Sequence, residues 1–197
     1  MDAIDTLMNE HRMIERVLDG LVGFSDASVR RGSADRAELG RFVEFFREFA
    51  DGCHHGKEED ILFRAMVDHG FPSNGGPIAV MLHEHGQCRT LVGTLRLLAE
   101  REGEWTAESL RQLAETARGY AALLGAHIQK EDGILYPMAG QHLPPAALGE
   151  VDAACVRFEA SRSGAHDRLH ALGEALGAHA PADRSSLPQV RLPCGHH

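Results

Sequence analysis

The sequence is poor in the signals that build sheets, disulfide scaffolds and membrane spans. No run alternates apolar and polar residues with a period of two, and the valines are scattered, so strands are not expected. Four cysteines are too few and too scattered for a disulfide framework. Cys53 and Cys88 fall inside apolar helical stretches and read as reduced packing thiols. No uninterrupted apolar stretch is long enough to cross a bilayer. The N-terminus, MDAIDTLMNEH, carries acids where a secretory leader carries bases. Basic residues are the minority, 20 Lys and Arg against 29 Asp and Glu. The net charge of −9 argues against a nucleic-acid surface and against an anionic-membrane anchor. A soluble, cytoplasmic protein with no nucleic-acid or membrane partner is the expectation. With 43% hydrophobic residues, 197 residues suffice for one domain with a core. One count is high: thirteen histidines.

Helix signals fill the chain. Asp2 or Asp5 caps a first helix that runs to about Ser25. A loop around Arg31–Ala34 leads to a second, longer helix that ends near His69-Gly70, where glycine supplies a left-handed cap. The loop 71–76 precedes Pro77, well placed as the first residue of a third helix ending near Glu102-Gly103. Thr106, with Ser109 behind it, caps a fourth helix running to about Gly140. Pro144-Pro145 starts a fifth segment, interrupted at Ser161–Gly164 and resuming to about His179. Short connections favour an all-α, up-down-up-down four-helix bundle over residues 1–140 with an accessory C-terminal helix or helices over 141–179. The tail 180–197, rich in proline, reads as disordered.

Periodicity then sorts the histidines. The first seam is Ile4, Leu7, His11, Ile14, Leu18 and Leu21. The second is Phe46, Ala50, His54, Glu58 and Leu62, which leaves His55 and Glu59 with Glu48 and Asp51 on a solvated face. The third is Ile78, Met81, His85, Cys88, Val92 and Leu95, with His83 off it. The fourth is Leu113, Ala117, Tyr120, Leu124, His127, Glu131, Ile134 and Met138. Two seams carry His and Glu at i and i+4, which project from one face. At roughly 1.5 Å rise per residue, His11, His85, Glu58 and Glu131 fall about 12–18 Å from one end of the bundle, so four histidines and two carboxylates are expected to converge in one layer. Buried ionised carboxylates cost several kcal/mol or more unless compensated. No Lys or Arg lies on these stripes, so a pair of metal ions is the expected compensation, with His11, His54, Glu58, His85, His127 and Glu131 as ligands. Glu15, one turn after His11, reads as a stripe-edge residue or one that orients a ligand. Tyr120 reads as core. His166 and His170 form a separate i, i+4 pair whose one candidate carboxylate partner is Glu159; polar packing is the preferred reading there. Cys194-Gly195-His196-His197 is a possible soft-metal binder.

Mixed imidazole and carboxylate donors suit iron, manganese or zinc, and six exceed one tetrahedral zinc. Glu10-His11, CHHGKEEDILF (53–63), Glu84-His85 with Arg89, and HIQKEDGILYP (127–137) together resemble the hemerythrin-like (HHE cation-binding) family over roughly residues 1–140. The resemblance implies a four-helix bundle holding two iron ions, Fe2+/Fe3+, oxo- or hydroxo-bridged, and it places ligand roles on the same six residues. The invertebrate oxygen carriers of the family have H-x-x-x-H on the third helix and H-x-x-x-x-D on the fourth. Here Arg89 stands at the second histidine position and the fourth helix has H-x-x-x-E, closer to the bacterial branch that includes iron–sulfur-centre repair proteins. One histidine fewer implies an open position on the second metal. Ferritin-type sites use E-x-x-H and match less well. Three functions stay open at this point. The first is binding or sensing of a small diatomic ligand, dioxygen or nitric oxide. The second is oxidoreductase consumption of peroxide or nitric oxide, and the third is iron handling or iron–sulfur repair.

Overall fold

Asp2 starts the chain's first helix by accepting the Asp5 N–H on its side chain at 2.8 Å. That helix is α1 (Ala3–Arg31) of a computed structural model that describes residues 2–180. It runs past Ser25 because Ser25 and Ser28 return their hydroxyls to Val22 and Phe24 carbonyls inside the helix. It stops at Gly32, whose φ of 71° closes it in the left-handed region. Asp35 then caps α2, a continuous helical run over 36–68, by accepting the Ala37 and Glu38 N–H groups. Gly70, at φ 99°, ends it as expected. Next come α3 (Gly76–Glu100), with proline in its first turn, and α4 over 107–142, opened by a Thr106/Ser109 capping box. The accessory part is α5 (Pro145–Ala160) and α6 (Ser163–Gly177). No strand occurs among the described residues, and none of their helices is long and apolar enough to cross a membrane. The disordered tail expected over 180–197 lies outside the described residues except for Ala180.

Two helices are not α throughout. In α2, residues Phe46–His55 and Glu58–Leu62 adopt the wider i→i+5 hydrogen bonding of a π-helix; in α4, Glu131–Leu135 does. More residues per turn means that a seam computed at 3.6 shifts register there. Ile134, expected inside, is 53% exposed, and Leu135 and Tyr136 are buried in its stead; Met138 is only half-buried, and Ala139 takes the seam. His55, expected on a solvated face, is buried at 1% exposure beside His54.

Helix α1 packs on α4, α4 on α3, α3 on α2, and the π segment of α2 on α1, closing a ring of four. Apolar side chains form two clusters along its axis. One contains Ile14, Leu18, Phe42, Phe46, Leu95 and Leu113; the other contains Leu7, Leu62, Met66, Ile78 and Leu135. The polar seam residues lie where one cluster gives way to the other along each helix. The accessory helices lie against α1 and α2. Contact there is close: a Cβ on Gly173 would stand 2.7 Å from Met13 Sδ and from a Phe45 ring carbon.

Candidate metal centre

Each bundle helix delivers its share of one buried polar layer. His11 comes from α1, His54, His55 and Glu58 from α2, His85 from α3, and His127 and Glu131 from α4, all at 1% exposure or less. Ligand atoms of His11, His54, Glu58 and Glu131 lie within 4.8 Å of one another, and so do those of His55, Glu58, His85 and His127. Glu58 belongs to both groups. All six residues expected from the seams are therefore brought together, and His55 joins them as a seventh. The missed register is the physical reason: a π-turn lets two consecutive residues face one interior.

The imidazoles are held from behind by acids. Each Nδ1 meets a carboxylate: His11 with Asp132 at 2.7 Å, His54 with Glu10 at 2.9 Å, His55 with Asp51 at 3.3 Å, His85 with Glu59 at 2.6 Å and His127 with Glu84 at 2.9 Å. An Nδ1–H that donates to a carboxylate fixes the tautomer and leaves the Nε2 lone pair facing inward. Cations stand behind these acids in turn. Arg12 pairs with Asp132, Lys57 with Glu10 at 2.5 Å, Lys130 with Glu84, and Arg89 with both Asp51 and Glu59 at 2.8 and 2.7 Å. The hydrogen bond to His85 lowers the Glu59 pKa. Burial opposes ionisation of Glu84 and Asp51, but Lys130 and His127 for one, and His55 and Arg89 for the other, outweigh it and bring both down.

Inside the layer the balance reverses. Glu58 Oε2 and both oxygens of Glu131 are buried with no hydrogen-bond partner, as is His55 Nε2. His127 Nε2 lies 3.1 Å from Glu131 Oε1, His11 Nε2 3.3 Å from Oε2, and His85 Nε2 3.5 Å from Glu58 Oε2. The Nε2 atoms of His85 and His127 are 3.1 Å apart. Burial and the Glu131 charge push the Glu58 carboxyl well up, whereas Glu131, also opposed by burial, is held low by the His11 and His127 imidazoles that face its oxygens. Burial pushes His54, His55 and His85 down, toward neutral imidazoles. Nitrogen lone pairs and carboxylate oxygens thus converge on one interior with too few protons among them, and this donor set fits metal cations. Tyr136 supplies the one hydroxyl, which donates to Glu58 Oε1 at 2.6 Å; its ring stacks on His11 with centroids 5.5 Å apart.

Other candidates sit elsewhere. Glu15 pairs with Arg12 at 3.0 Å and touches no histidine. Tyr120 is buried in the core against Phe46. His83 is exposed. His166 lies near Glu159 and Glu10 beside the bundle. The possible binder Cys194–His197 lies outside the described residues.

Seam reasoning missed the outer acids and Tyr136. A signal for them exists in the sequence: His54–Phe63 and His127–Tyr136 share the pattern H-x-x-K-E-[ED]-x-I-L-[FY], and both histidine–acid doublets of α1 and α3 read E-H. Each outer acid of these four motifs is next to an inner residue yet serves a histidine on another helix, as neighbours about 100° apart on a helix must. The hemerythrin HHE cation binding domain matches residues 2–139. No curated protein and no solved structure matches the chain. Those 138 residues hold all seven members of the buried layer, and the chain belongs to the hemerythrin HHE cation-binding family.

Proposed function

We propose that the layer holds two iron ions bridged by Glu58 and Glu131, and that the pair binds or senses a small diatomic ligand, dioxygen or nitric oxide. The carrying observation is the set of buried, unpartnered acceptors: Glu58 Oε2, both Glu131 oxygens and His55 Nε2. Leaving such atoms unpaired costs about 1–3 kcal/mol each, more if charged. His11 and His54 would serve one ion, and His55, His85 and His127 the other. The iron pair, when bound, supplies the electrons and open coordination that such a ligand needs. The chain supplies the rest. Five carboxylate-anchored imidazoles fix donor positions, the two apolar clusters restrict water, and Tyr136 holds a proton on a bridging carboxylate.

The test is metal counting by mass spectrometry on untagged protein, then anaerobic reduction and gas addition. Two iron per chain and a visible band that forms with dioxygen or nitric oxide and reverses when gas is removed support the reading. Irreversible oxidation with turnover of peroxide or nitric oxide would make the protein an oxidoreductase. A chain that takes up no iron at all and folds equally well ends both readings.

A further inference from the structure

The accessory helices place a second donor cluster beside the bundle. Glu159 at the end of α5, His166 on α6 and Glu10 on α1 each offer a ligand atom, and the three atoms lie within 4.8 Å of one another. They line a cavity of about 290 Å³ that His170 also lines. His166 and His170 are one helical turn apart, with ring centroids 6.3 Å from each other. Among the described residues neither imidazole makes a hydrogen bond, and the acid nearest His166 is Asp167, at 3.9 Å. The side chains of His166 and Glu159 are each 34% exposed, so solvent reaches them.

The local charge also favours a cation. Lys57 Nζ binds one oxygen of Glu10 at 2.5 Å and one of Glu159 at 2.6 Å. Two carboxylates against one ammonium leave a net charge of −1 facing the cavity. The second oxygen of Glu10 is committed to His54. The free donors are therefore the second oxygen of Glu159 and two imidazoles.

We propose that Glu159, His166 and His170, with Glu10 at the floor, form a divalent cation site of one ion per chain, separate from the buried layer. Two imidazoles and a carboxylate suit ferrous, manganous, cobaltous or zinc ions. The Lys57 charge nearby keeps the ion exchangeable. Residues of the buried layer are at most 1% exposed, so an ion bound for it needs a first stop at the surface. Glu10 ties this site to His54, which makes it a loading position; that role, unlike the site, rests on the function proposed above.

Equilibrium dialysis of the full chain against cobalt(II) chloride tests the site. His166→Ala and Glu159→Gln should each bind one cobalt fewer per chain than the unaltered protein and lose part of the ligand-field absorption. His166 is on the surface, so its variant keeps the fold, which circular dichroism checks. Equal cobalt counts in His166→Ala and the unaltered chain overturn the site, and so does a loss of more than one ion. If the buried layer takes no metal, the single cobalt that depends on His166 still upholds the site while the proposed function falls. Ferrous uptake into the buried layer should lose its fast phase in His166→Ala; unchanged kinetics remove the loading role.

Discussion

His55→Leu separates a metal donor from a packing residue. In the metal-free protein His55 Nε2 is buried without a partner, a penalty of about 1–3 kcal/mol that leucine removes at similar volume. Leucine also gives up the stacking of His55 on His85, 3.7 Å between centroids, worth about 0.5–1.5 kcal/mol. Asp51 keeps Arg89 as a partner at 2.8 Å. The metal-free variant should therefore lie between about 0.5 kcal/mol less and about 2.5 kcal/mol more stable than the unaltered protein. With iron the sign reverses. A donor is gone, and a hundredfold weaker affinity removes about 2.7 kcal/mol of metal-linked stability. Urea unfolding of chelator-treated and iron-loaded samples reads both quantities. The gap between the two forms should shrink in His55→Leu and stay the same in His83→Leu, whose site is exposed. A His55→Leu gap equal to that of the unaltered protein would refute the donor assignment.

Four further outcomes are expected. Glu84→Gln weakens the acid behind His127 and leaves Lys130 without its partner, so metal affinity should fall about 10–100-fold in chelator competition; Glu15→Gln, which touches no donor, should leave it unchanged. Gly20→Ala would put a Cβ 2.3 Å from the Leu176 carbonyl oxygen, so α6 must shift, and stability should fall by about 1–3 kcal/mol with faster proteolysis within α6. Burial pushes the thiols of Cys88 and Cys155 up to about 12 and about 11, so a disulfide reagent at pH 8 should leave both unmodified until the protein is denatured. Burial depresses His55, so in the metal-free protein its contribution is full above the unfolded value of 6.5 and is lost as pH falls below it. Between pH 7.5 and pH 5.5 the melting temperature of metal-free His55→Leu should therefore fall less, or rise more, than that of the unaltered protein; an identical pH dependence would contradict the buried, neutral imidazole.

Seam spacing made His11, His85 and His127 legible, because α1, α3 and the first part of α4 are regular α-helices with buried residues three and four apart. It also put Glu58 and Glu131 inside, where both are buried, since a His and a Glu four apart stay on one face in either helix type. It failed where the helix widens. A stripe of successive fours, Phe46 to Leu62, drifts about 40° per step on an α-helix, and over four steps would leave the interior. All five of its residues are nonetheless buried, which the π segments explain. That overlong stripe was itself the available sign that α2 is not α throughout. The outer acids were illegible for a different reason. A carboxylate that reaches the back of an imidazole on the next helix looks, by periodicity, like one that faces water, and only the pairing of helices distinguishes them. Lys57 was missed likewise: it lies off the stripes yet is 1% exposed, because α5 covers it and Glu159 answers its charge.

The repeated motifs make the two halves of the layer near copies, and the positions where the copies differ bear on the ligand binding proposed above. Glu10-His11 and His54 of one half correspond to Glu84-His85 and His127 of the other, and the Lys57–Glu59 run to Lys130–Asp132. His55 corresponds to Ile128, but its ligand atom groups in space with those of His85 and His127, so that half has three imidazoles and the His11–His54 half two. Phe63 corresponds to Tyr136. Phe63 stacks near His85 at 6.1 Å, whereas Tyr136 stacks on His11 and adds a hydroxyl at Glu58. The half with fewer donors is therefore the one that carries a proton donor. If a small ligand occupies the His11–His54 half, Tyr136→Phe should speed nitric oxide release from reduced protein by about the worth of one hydrogen bond, roughly 0.5–1.5 kcal/mol or 2- to 13-fold. Phe63→Leu, at the matching position of the other half, should leave release unchanged. Stopped-flow displacement measures both rates. Equal release from Tyr136→Phe and the unaltered protein would place the ligand away from Tyr136 and remove the functional meaning of the asymmetry.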